Sequence, residues 1–214
     1  MIWGRKDVPD EFIPYFDAIK GENALNALRF YPGSPRIVRR LLRPVDRIVL
    51  VELNRKDCES LAGLFGGDRQ TAVHLMDGYQ SLRAFLPPKE RRGLIFIDSS
   101  FDRAREFDRL TTGLEEAYRR FATGVYALWY PLMESLAMRA FERGLVATGI
   151  GKILQLEISV QSEDWSGNMR GCGMMVVNPP FGFEAEARSM LKWLQPMLSR
   201  GDGGGHRVVW LAVE

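Results

Sequence analysis

The stretch GLIFIDSSFD, residues 93–102, joins a short apolar run to an acid. The run from Gly93 to Ile97 has the length and the β-branched content of a buried strand, and Asp98 follows it directly. Two serines and Phe101 come next. Ligands of open α/β sheets bind outside the carboxyl ends of the strands, so we expect Asp98 to lie at a functional site.

Apolar runs alternate with helical patterns on both sides of this stretch. Besides residues 93–97, the predicted strands cover residues 47–53, 71–75, 124–130, 152–160, 171–178 and 206–213. The predicted helices cover residues 54–65, 78–86, 102–121 and 184–199. Pro131 is expected to open a further helix at its first position.

This alternation predicts a doubly wound α/β fold with a mostly parallel sheet. The late pair of long strands, joined by a polar loop over residues 161–170, predicts an antiparallel C-terminal edge or hairpin. A chain of 214 residues is long enough to bury a substantial core, and we expect residues 1–214 to form a single domain.

The composition argues against several classes of protein. Apolar residues make up 46% of the chain and charged residues 26%, as in ordinary globular proteins. Two cysteines without a CxxC spacing and two histidines indicate neither a disulfide framework nor a metal site. No apolar run approaches the ~20 residues of a membrane span, and a signal-peptide pattern is missing. We therefore expect a cytoplasmic protein that binds no membrane.

The densest basic segment is RIVRRLLR, residues 36–43, in a chain whose formal net charge is only +2. A local patch of this kind is compatible with phosphate contacts to a nucleic acid. The alternative is a solvated helix face, because Ile37, Val38, Leu41 and Leu42 supply an apolar side at helical spacing. The sequence leaves both interpretations open.

Three predicted strands end next to acids: Glu52, Asp77 and Asp98. A carboxylate at the first of these positions suits two O–H donors from one ribose. Asp77 is followed by Gly78, and this pair can accept a base amino group while glycine permits close backbone approach. Any one of the three acids equally fits a helix N-cap or a solvated loop position. Together, in order, they favour a cofactor that contains a nucleoside.

Residues 98–101, DSSF, differ only at the two middle positions from D-P-P-F, the substrate clamp of enzymes that methylate exocyclic amino groups of bases. In such a clamp the acid and a backbone carbonyl accept both N–H bonds of the amine, and the aromatic ring stacks on the flipped base. Ser99 and Ser100 keep the backbone carbonyls but lose the stiffness of proline. We therefore expect a less preorganised and slower site.

A second match, NPPF at residues 178–181, is an intact form of the clamp and also follows a predicted strand. In an N6-type methyltransferase the clamp lies two strands beyond the ribose-binding acid, which is the position of Asp98 relative to Glu52. Asn178 falls several elements later. We therefore predict that residues 178–181 form a structural or substrate-facing turn.

Long segments across nearly the whole chain resemble the RlmJ-type adenine-N6 methyltransferases of large-subunit (23S) ribosomal RNA. The resemblance implies a Rossmann-like methyltransferase fold, S-adenosylmethionine as the cofactor and 23S rRNA as the partner. Some members are also labelled as involved in catabolism of external DNA. The matching segments are RFYPGSP (29–35), LVEL (50–53), DGYQSLRAFLPP (77–88), RRGLIFID (91–98), YRRFATGVYALWYP (118–131), ATGIGKILQLEISV (147–160) and GMMVVNPPF (173–181).

The resemblance assigns roles to individual residues. It implies that the cofactor site is formed by Ser34, Glu52, Asp77, Gly78 and Asp98. Asp98 would also be the catalytic residue that engages the adenine amino group, with Ser99 and Phe101 against the base. Beyond what the resemblance implies, we expect Arg39 and Arg40, with Arg36 and Arg43, to contact RNA phosphates. From the residues alone, Ser34 also fits a helix N-cap before Pro35.

The chain departs from the family pattern twice. D-P-P-Y/F is DSSF here, and no Gly-rich DTHAGAG-like loop with its preceding first strand comes before residue 29. We therefore expect an N-terminally truncated or divergent member, a monomer of reduced activity. The alternative is a non-catalytic RNA-binding relative that kept the scaffold, with salt-sensitive RNA affinity that is independent of cofactor.

Overall fold

The computed structural model describes residues 2–23, 27–101, 105–133, 135–162, 169–199 and 203–213. Residues 163–168 of the predicted polar loop and residues 102–104 at the predicted start of a helix lie outside these ranges. The chain divides into two compact units, Met1–Ser81 and Leu82–Glu214. The single domain of residues 1–214 stays a prediction.

The first unit contains a small parallel sheet and short helices. Its two strands pair in parallel register from Ile48↔Thr71 to Glu52↔Leu75, so that their carboxyl ends lie at the same edge. In chain order the elements are a 3₁₀ turn (Asp10–Phe12), α1 (Ile13–Lys20), α2 (Ser34–Leu41), β1 (Ile48–Glu52), α3 (Arg55–Leu64), β2 (Thr71–Leu75) and α4 (Gly78–Phe85), which continues into the second unit.

Local sequence signals explain where most of these helices start and stop. The Asn54 side chain accepts a hydrogen bond from the backbone N–H of Lys56 at 3.0 Å and caps α3, and Gly67 follows that helix with a φ of +84°. The predicted N-cap role of Ser34 is wrong. Gly33 is the N-cap of α2 and Ser34 is its first residue, because Pro35 then occupies the second position, where no N–H is needed.

In the part that the structure describes, the second unit contains a five-stranded mixed sheet, the end of α4 and three further helices. The strand order is β3-β4-β6-β5-β7; β3 and β4 are parallel and the other pairs are antiparallel. The elements are β3 (Leu94–Asp98), α5 (Glu106–Arg120), β4 (Val125–Leu132), α6 (Ser135–Ala147), β5 (Ile153–Ser159), β6 (Gly171–Val177), α7 (Phe183–Leu198) and β7 (Gly205–Ala212).

The predicted α/β class and the antiparallel C-terminal part are confirmed. The prediction of a mostly parallel sheet is wrong for the second unit, where only β3 and β4 pair in parallel, because β6 inserts between β4 and β5 and pairs antiparallel with both. The prediction for Pro131 is wrong, since it lies inside β4, opposite Cys172 of β6. Pairing of β4 with β3 ends at Trp129. Beyond that residue, β6 is the one strand that pairs with β4 among the described residues, and a residue without an N–H is tolerated there.

The core of the second unit lies around β4 and its neighbours. Tyr126 of β4 is fully buried, and its hydroxyl donates to the backbone oxygens of Ala117 at 3.0 Å and Phe121 at 2.8 Å. These contacts fasten the C-terminal end of α5 to the sheet. Leu110 and Leu114 of this helix are fully buried.

A glycine in β6 makes room for a second buried tyrosine. Gly173 lies directly opposite Tyr130 of β4, whose side chain is fully buried. A Cβ atom at residue 173 would lie 2.3 Å from Tyr130 Cζ and 2.4 Å from its hydroxyl oxygen. The ring cannot move aside easily, because the Tyr130 hydroxyl donates to Glu157 Oε1 at 3.0 Å. The close approach of the two strands therefore requires glycine.

Gly173→Ala is expected to lower the free energy of unfolding by roughly 1–3 kcal/mol, the usual cost of overpacking a core. The measurement is urea unfolding followed by circular dichroism. Gly205→Ala in β7 is the matched control, because a Cβ there meets no atom within 4 Å. Equal effects of the two substitutions would contradict this account of Gly173.

Candidate functional site

Asp98 lies at the carboxyl end of β3, where the sequence predicts a functional side chain. It is the last residue of the strand and pairs with Trp129 in the parallel register with β4. The residue is exposed as a whole, but partial burial of its carboxylate raises the pKa of Asp98 above its ordinary value. A desolvated carboxylate at a strand end is a common property of functional sites.

Phe101 lies beyond Asp98 with an unusual backbone conformation. Its φ of +55° falls in the left-handed region, which bulky residues rarely adopt. The half-buried ring lies 5.0 Å from that of Phe107 and makes an edge contact with Trp129 at 6.0 Å. Phe107 in turn lies 4.9 Å from Phe141. The residue predicted to stack on a base is thus one end of an aromatic cluster beside Asp98.

The two predicted site acids of the first unit, Glu52 and Asp77, both take part in local turns. Glu52 Oε1 accepts a hydrogen bond from the Asn54 N–H at 2.7 Å. Asp77 Oδ1 accepts from Tyr79 N–H at 2.9 Å and from Gln80 N–H at 3.2 Å, as the N-cap of α4. The alternative interpretation of Asp77 as a helix N-cap is therefore confirmed. It does not exclude ligand binding, because helix N-termini are also polar binding places.

The predicted site residues divide between the two units. Glu52 ends β1, and Asp77 follows β2 by two residues, so the parallel register brings both to one edge of the first sheet. Gly78 opens α4, and a Cβ there would meet no atom within 4 Å. Ser34, at the start of α2, is exposed. The second unit holds Asp98, Ser99 and Phe101.

The NPPF segment lies at the other end of the second unit's sheet. Because β6 is antiparallel to β4, its carboxyl end is next to the start of β4, away from the end that carries Asp98. Asn178 Nδ2 donates to the backbone oxygens of Ala122 and Gly124, each at 2.8 Å. Its amide therefore fastens a turn, as the sequence predicts, while Phe181 is fully exposed.

The arginines of α2 all form ion pairs. Arg39 Nη2 donates to Asp68 Oδ1 at 3.1 Å and to Gln70 Oε1 at 2.8 Å. The hydrogen bonds from Arg39 hold the pKa of Asp68 well below its usual range. Arg40 Nε donates to Glu22 at 2.6 Å. Arg36 pairs with Glu22, and Arg43, two residues after the helix, pairs with Asp46.

Sequence reasoning missed the residues that surround these predicted positions. Trp129 lies within a predicted strand, and only the strand pairing reveals that it is beside Asp98. Glu22 lies 14 residues from Arg36, and Asp68 lies 29 residues from Arg39, so no local pattern links them. Among the residues that the structure describes, none of the helices is long and apolar enough to cross a membrane.

Parallel strands that alternate with helices and carry acids at their carboxyl ends are typical of the Rossmann-like α/β class. Within it, the chain belongs to the family described as Ribosomal RNA large subunit methyltransferase D, RlmJ, whose family model matches residues 1–212. It is therefore a member of an rRNA methyltransferase family.

Individual relatives agree with this assignment. The chain is 40% identical over 213 residues to Ribosomal RNA large subunit methyltransferase J of Escherichia coli K12, covering 100% of this chain and 76% of that protein. It is 38% identical over 214 residues to the Haemophilus influenzae protein of the same name, with the same coverage. A crystal structure of a Legionella pneumophila protein superposes with a TM-score of 0.89 at 32% identity, covering 96% of this chain and 76% of the other.

The raised pKa of Asp98 predicts how its removal affects stability. A carboxyl whose pKa is higher in the folded state stabilises the fold at low pH, and this contribution is lost as the pH rises through the raised pKa. At neutral pH the ionised group is therefore unfavourable. Asp98→Asn is expected to raise the melting temperature at pH 7, with the difference shrinking below about pH 4.

Thermal unfolding monitored by circular dichroism from acid to neutral pH measures this difference. Asp57→Asn is the charge-matched control; it removes an acid from the first turn of α3 and is expected to lower stability slightly. A lower melting temperature for Asp98→Asn at pH 7 would contradict the desolvation of Asp98.

Proposed function

We propose that the chain is an S-adenosylmethionine-dependent methyltransferase that modifies the N6 amino group of an adenine in 23S rRNA, with Asp98 as the catalytic residue. Membership of the rRNA methyltransferase family supports the reaction class. The observation that carries the proposal is the position of Asp98, partly desolvated at the carboxyl end of β3 with the Phe101 ring nearby.

Asp98 holds the target amine in the reactive geometry. The amino nitrogen of adenine is a poor nucleophile because its lone pair is delocalised into the ring. A carboxylate oxygen that accepts one N–H, with a backbone carbonyl that accepts the other, turns the lone pair out of conjugation. The carboxylate also accepts the proton that the nitrogen loses when it gains the methyl group.

Phe101 offers a face to the flipped base. Its contacts with Phe107 and Trp129 fix one side of the ring within the aromatic cluster. Stacking against such a fixed ring is worth about 1–3 kcal/mol per base in nucleic-acid complexes. Ser99 and Ser100 supply the backbone carbonyls between the acid and the ring, without the rigidity of proline.

The first unit fits the adenosine part of the cofactor. Glu52 at the end of β1 offers a carboxylate for ribose hydroxyls, and Asp77 lies at the same edge. The space above Gly78, where a Cβ would touch nothing within 4 Å, lets a ring approach the backbone. Ser34 adds an exposed hydroxyl at the start of α2. When bound, S-adenosylmethionine supplies an electrophilic methyl group.

Asp98→Ala is expected to reduce methyl transfer by at least about 100-fold, the usual effect of losing a positioned polar group in a reacting centre. Asp98→Asn keeps an oxygen acceptor and should retain more activity. In the unsubstituted chain the rate should fall as the pH drops through the raised pKa of Asp98, and Asp98→Asn should remove that part of the profile. Transfer of tritiated methyl groups to unmodified 23S rRNA measures both.

Three outcomes separate the possibilities. Turnover at the original rate in Asp98→Ala would remove Asp98 from the mechanism. No transfer by the unsubstituted chain, with salt-sensitive RNA binding that ignores the cofactor, would favour the non-catalytic RNA-binding alternative. Transfer to a nucleobase other than adenine would contradict the proposed N6 specificity.

Gly78→Ala is expected to weaken binding of S-adenosylhomocysteine, the product form of the cofactor, by tenfold or more. The added methyl group fills the space above the backbone, and it leaves the fold intact because it meets no protein atom within 4 Å. Isothermal titration calorimetry measures the affinity, and a melting curve verifies the fold.

Gly63→Ala in α3 is the matched control, since a Cβ there also meets nothing within 4 Å. Equal affinity of Gly78→Ala and the unsubstituted chain would move the cofactor away from Gly78. If the unsubstituted chain shows no binding of S-adenosylhomocysteine, the proposed cofactor dependence of this chain is wrong.

A further inference from the structure

Two arginines of α2 share a single acid. Arg36 and Arg40 lie one helical turn apart, and both contact Glu22, which follows α1. Arg36 Nη2 donates to Glu22 Oε2, and Arg40 Nε donates to Glu22 Oε1 at 2.6 Å. Arg40 Nη2 also donates to the backbone oxygen of Gly21 at 2.9 Å. Glu22 therefore orients two guanidinium groups side by side.

The other two arginines of residues 36–43 each pair with a separate acid. Arg39 pairs with Asp68 and Arg43 pairs with Asp46, so each of these pairs is electrically neutral. Arg36 and Arg40 carry two positive charges against the one negative charge of Glu22. The surplus positive charge of the segment therefore lies on the Arg36–Glu22–Arg40 group.

This group is arranged with the acid inside and the cations outside. The Glu22 side chain is 13% exposed, whereas those of Arg36 and Arg40 are 40% and 42% exposed. All three residues line a cavity of about 400 Å³. Each guanidinium has five N–H donors, and the contacts to Glu22 and Gly21 engage one on Arg36 and two on Arg40. Further donors are thus available for an anion in the cavity.

Part of the cavity wall is apolar, although Arg39 and Asp68 also line the cavity. Leu64, the last residue of α3, is 48% exposed, and Phe65 follows it. An isolated phosphate ion gains nothing from contact with apolar side chains. A phosphodiester, in contrast, carries a nucleoside that can pack against them. The charge and the wall together favour a nucleotide within a chain.

We propose that Arg36 and Arg40 bind one phosphodiester group of single-stranded RNA, with Glu22 as the positioning residue. Paired guanidinium groups match the oxygens of a phosphate. Because Glu22 and Gly21 already hold both side chains, less conformational entropy is lost when the phosphate binds. The proposal rests on the proposed function in its choice of RNA as the partner. It keeps Arg40 among the predicted phosphate contacts and replaces Arg39, which Asp68 and Gln70 engage, by Arg36.

The test is the salt dependence of RNA binding, followed by fluorescence anisotropy of a labelled single-stranded RNA without cofactor between about 50 and 200 mM salt. Arg36→Gln and Arg40→Gln should weaken binding about five- to tenfold and reduce the salt slope by about 0.7, one phosphate contact on a single strand. Arg43→Gln removes the same charge but should leave the slope nearly unchanged. Equal losses in all three variants would overturn the site, because net charge alone would explain them.

A neutral substitution tests the position of Arg40 without changing its charge. A Cβ at residue 21 would lie 2.5 Å from Arg40 Nη1, while the φ of Gly21, −62°, suits any residue. Gly21→Ala should therefore displace the guanidinium, preserve the fold and weaken RNA binding as much as Arg40→Gln. Gly63→Ala, which meets no atom, should bind RNA normally. Unchanged RNA affinity in Gly21→Ala would overturn the proposal.

A separate NMR measurement tests the role of Glu22. Glu22→Gln should broaden the Nε–H signal of Arg40 in NMR spectra, because that Nε donates to Glu22, and should leave the Nε–H signal of Arg43 sharp, because it donates to Asp46. An unchanged Arg40 signal would remove Glu22 from the site. Competition with inorganic phosphate identifies the ligand: displacement of RNA by phosphate at concentrations near the RNA Kd would overturn the phosphodiester assignment.

Failure of this proposal is distinguishable from failure of the proposed function. The anisotropy measurement contains no cofactor, so it reports RNA binding independently of methyl transfer. A chain that binds RNA through Arg36 and Arg40 but transfers no methyl group would refute only the enzyme. A chain that methylates RNA with the same efficiency in Arg40→Gln, Gly21→Ala and the unsubstituted form would refute only the phosphate site.

Discussion

The pairing of β4 with different neighbours on its two sides is the constraint on which the second unit depends. Parallel pairing with β3 brings Asp98 beside Trp129, and antiparallel pairing with β6 sends Asn178 to the opposite end of the sheet. Two tetrapeptides that look alike in sequence are thereby separated by the length of a strand. One has a desolvated acid and a nearby aromatic cluster, and the other has an amide engaged by backbone oxygens.

Much of this architecture could be predicted because strands and helices carry local signals. Apolar runs placed β1, β2 and β3 within about a residue of their observed bounds, and Asn54 marked the start of α3. The errors came where pairing with a residue distant in sequence decides the local structure. Pro131 continues a strand because β6 pairs with it there, and the insertion of β6 between β4 and β5 depends on sheet assembly, which no local pattern encodes.

The same difference between local signals and distant partners applies to the candidate site. The acids at strand ends followed from the order of the elements, since a parallel register alone puts Glu52 and Asp77 at one edge. The surroundings of Asp98 did not follow, because Trp129 reaches it only through strand pairing. The charge of α2 was likewise hidden. The arginines of residues 36–43 form a dense basic run in sequence, whereas in the fold most of that charge is matched by acids outside α2, namely Glu22, Asp46 and Asp68.

The close approach of Arg40 to Gly21 has a consequence for how affinity for a polyanion can change over time. A single methyl group at residue 21 would displace a guanidinium while the isoelectric point, the number of arginines and the helix itself stay the same. Two homologous chains with identical charge could therefore differ in how firmly they grip a nucleic acid. A backbone position beside the cation, rather than the cation itself, is then where selection can act without altering solubility.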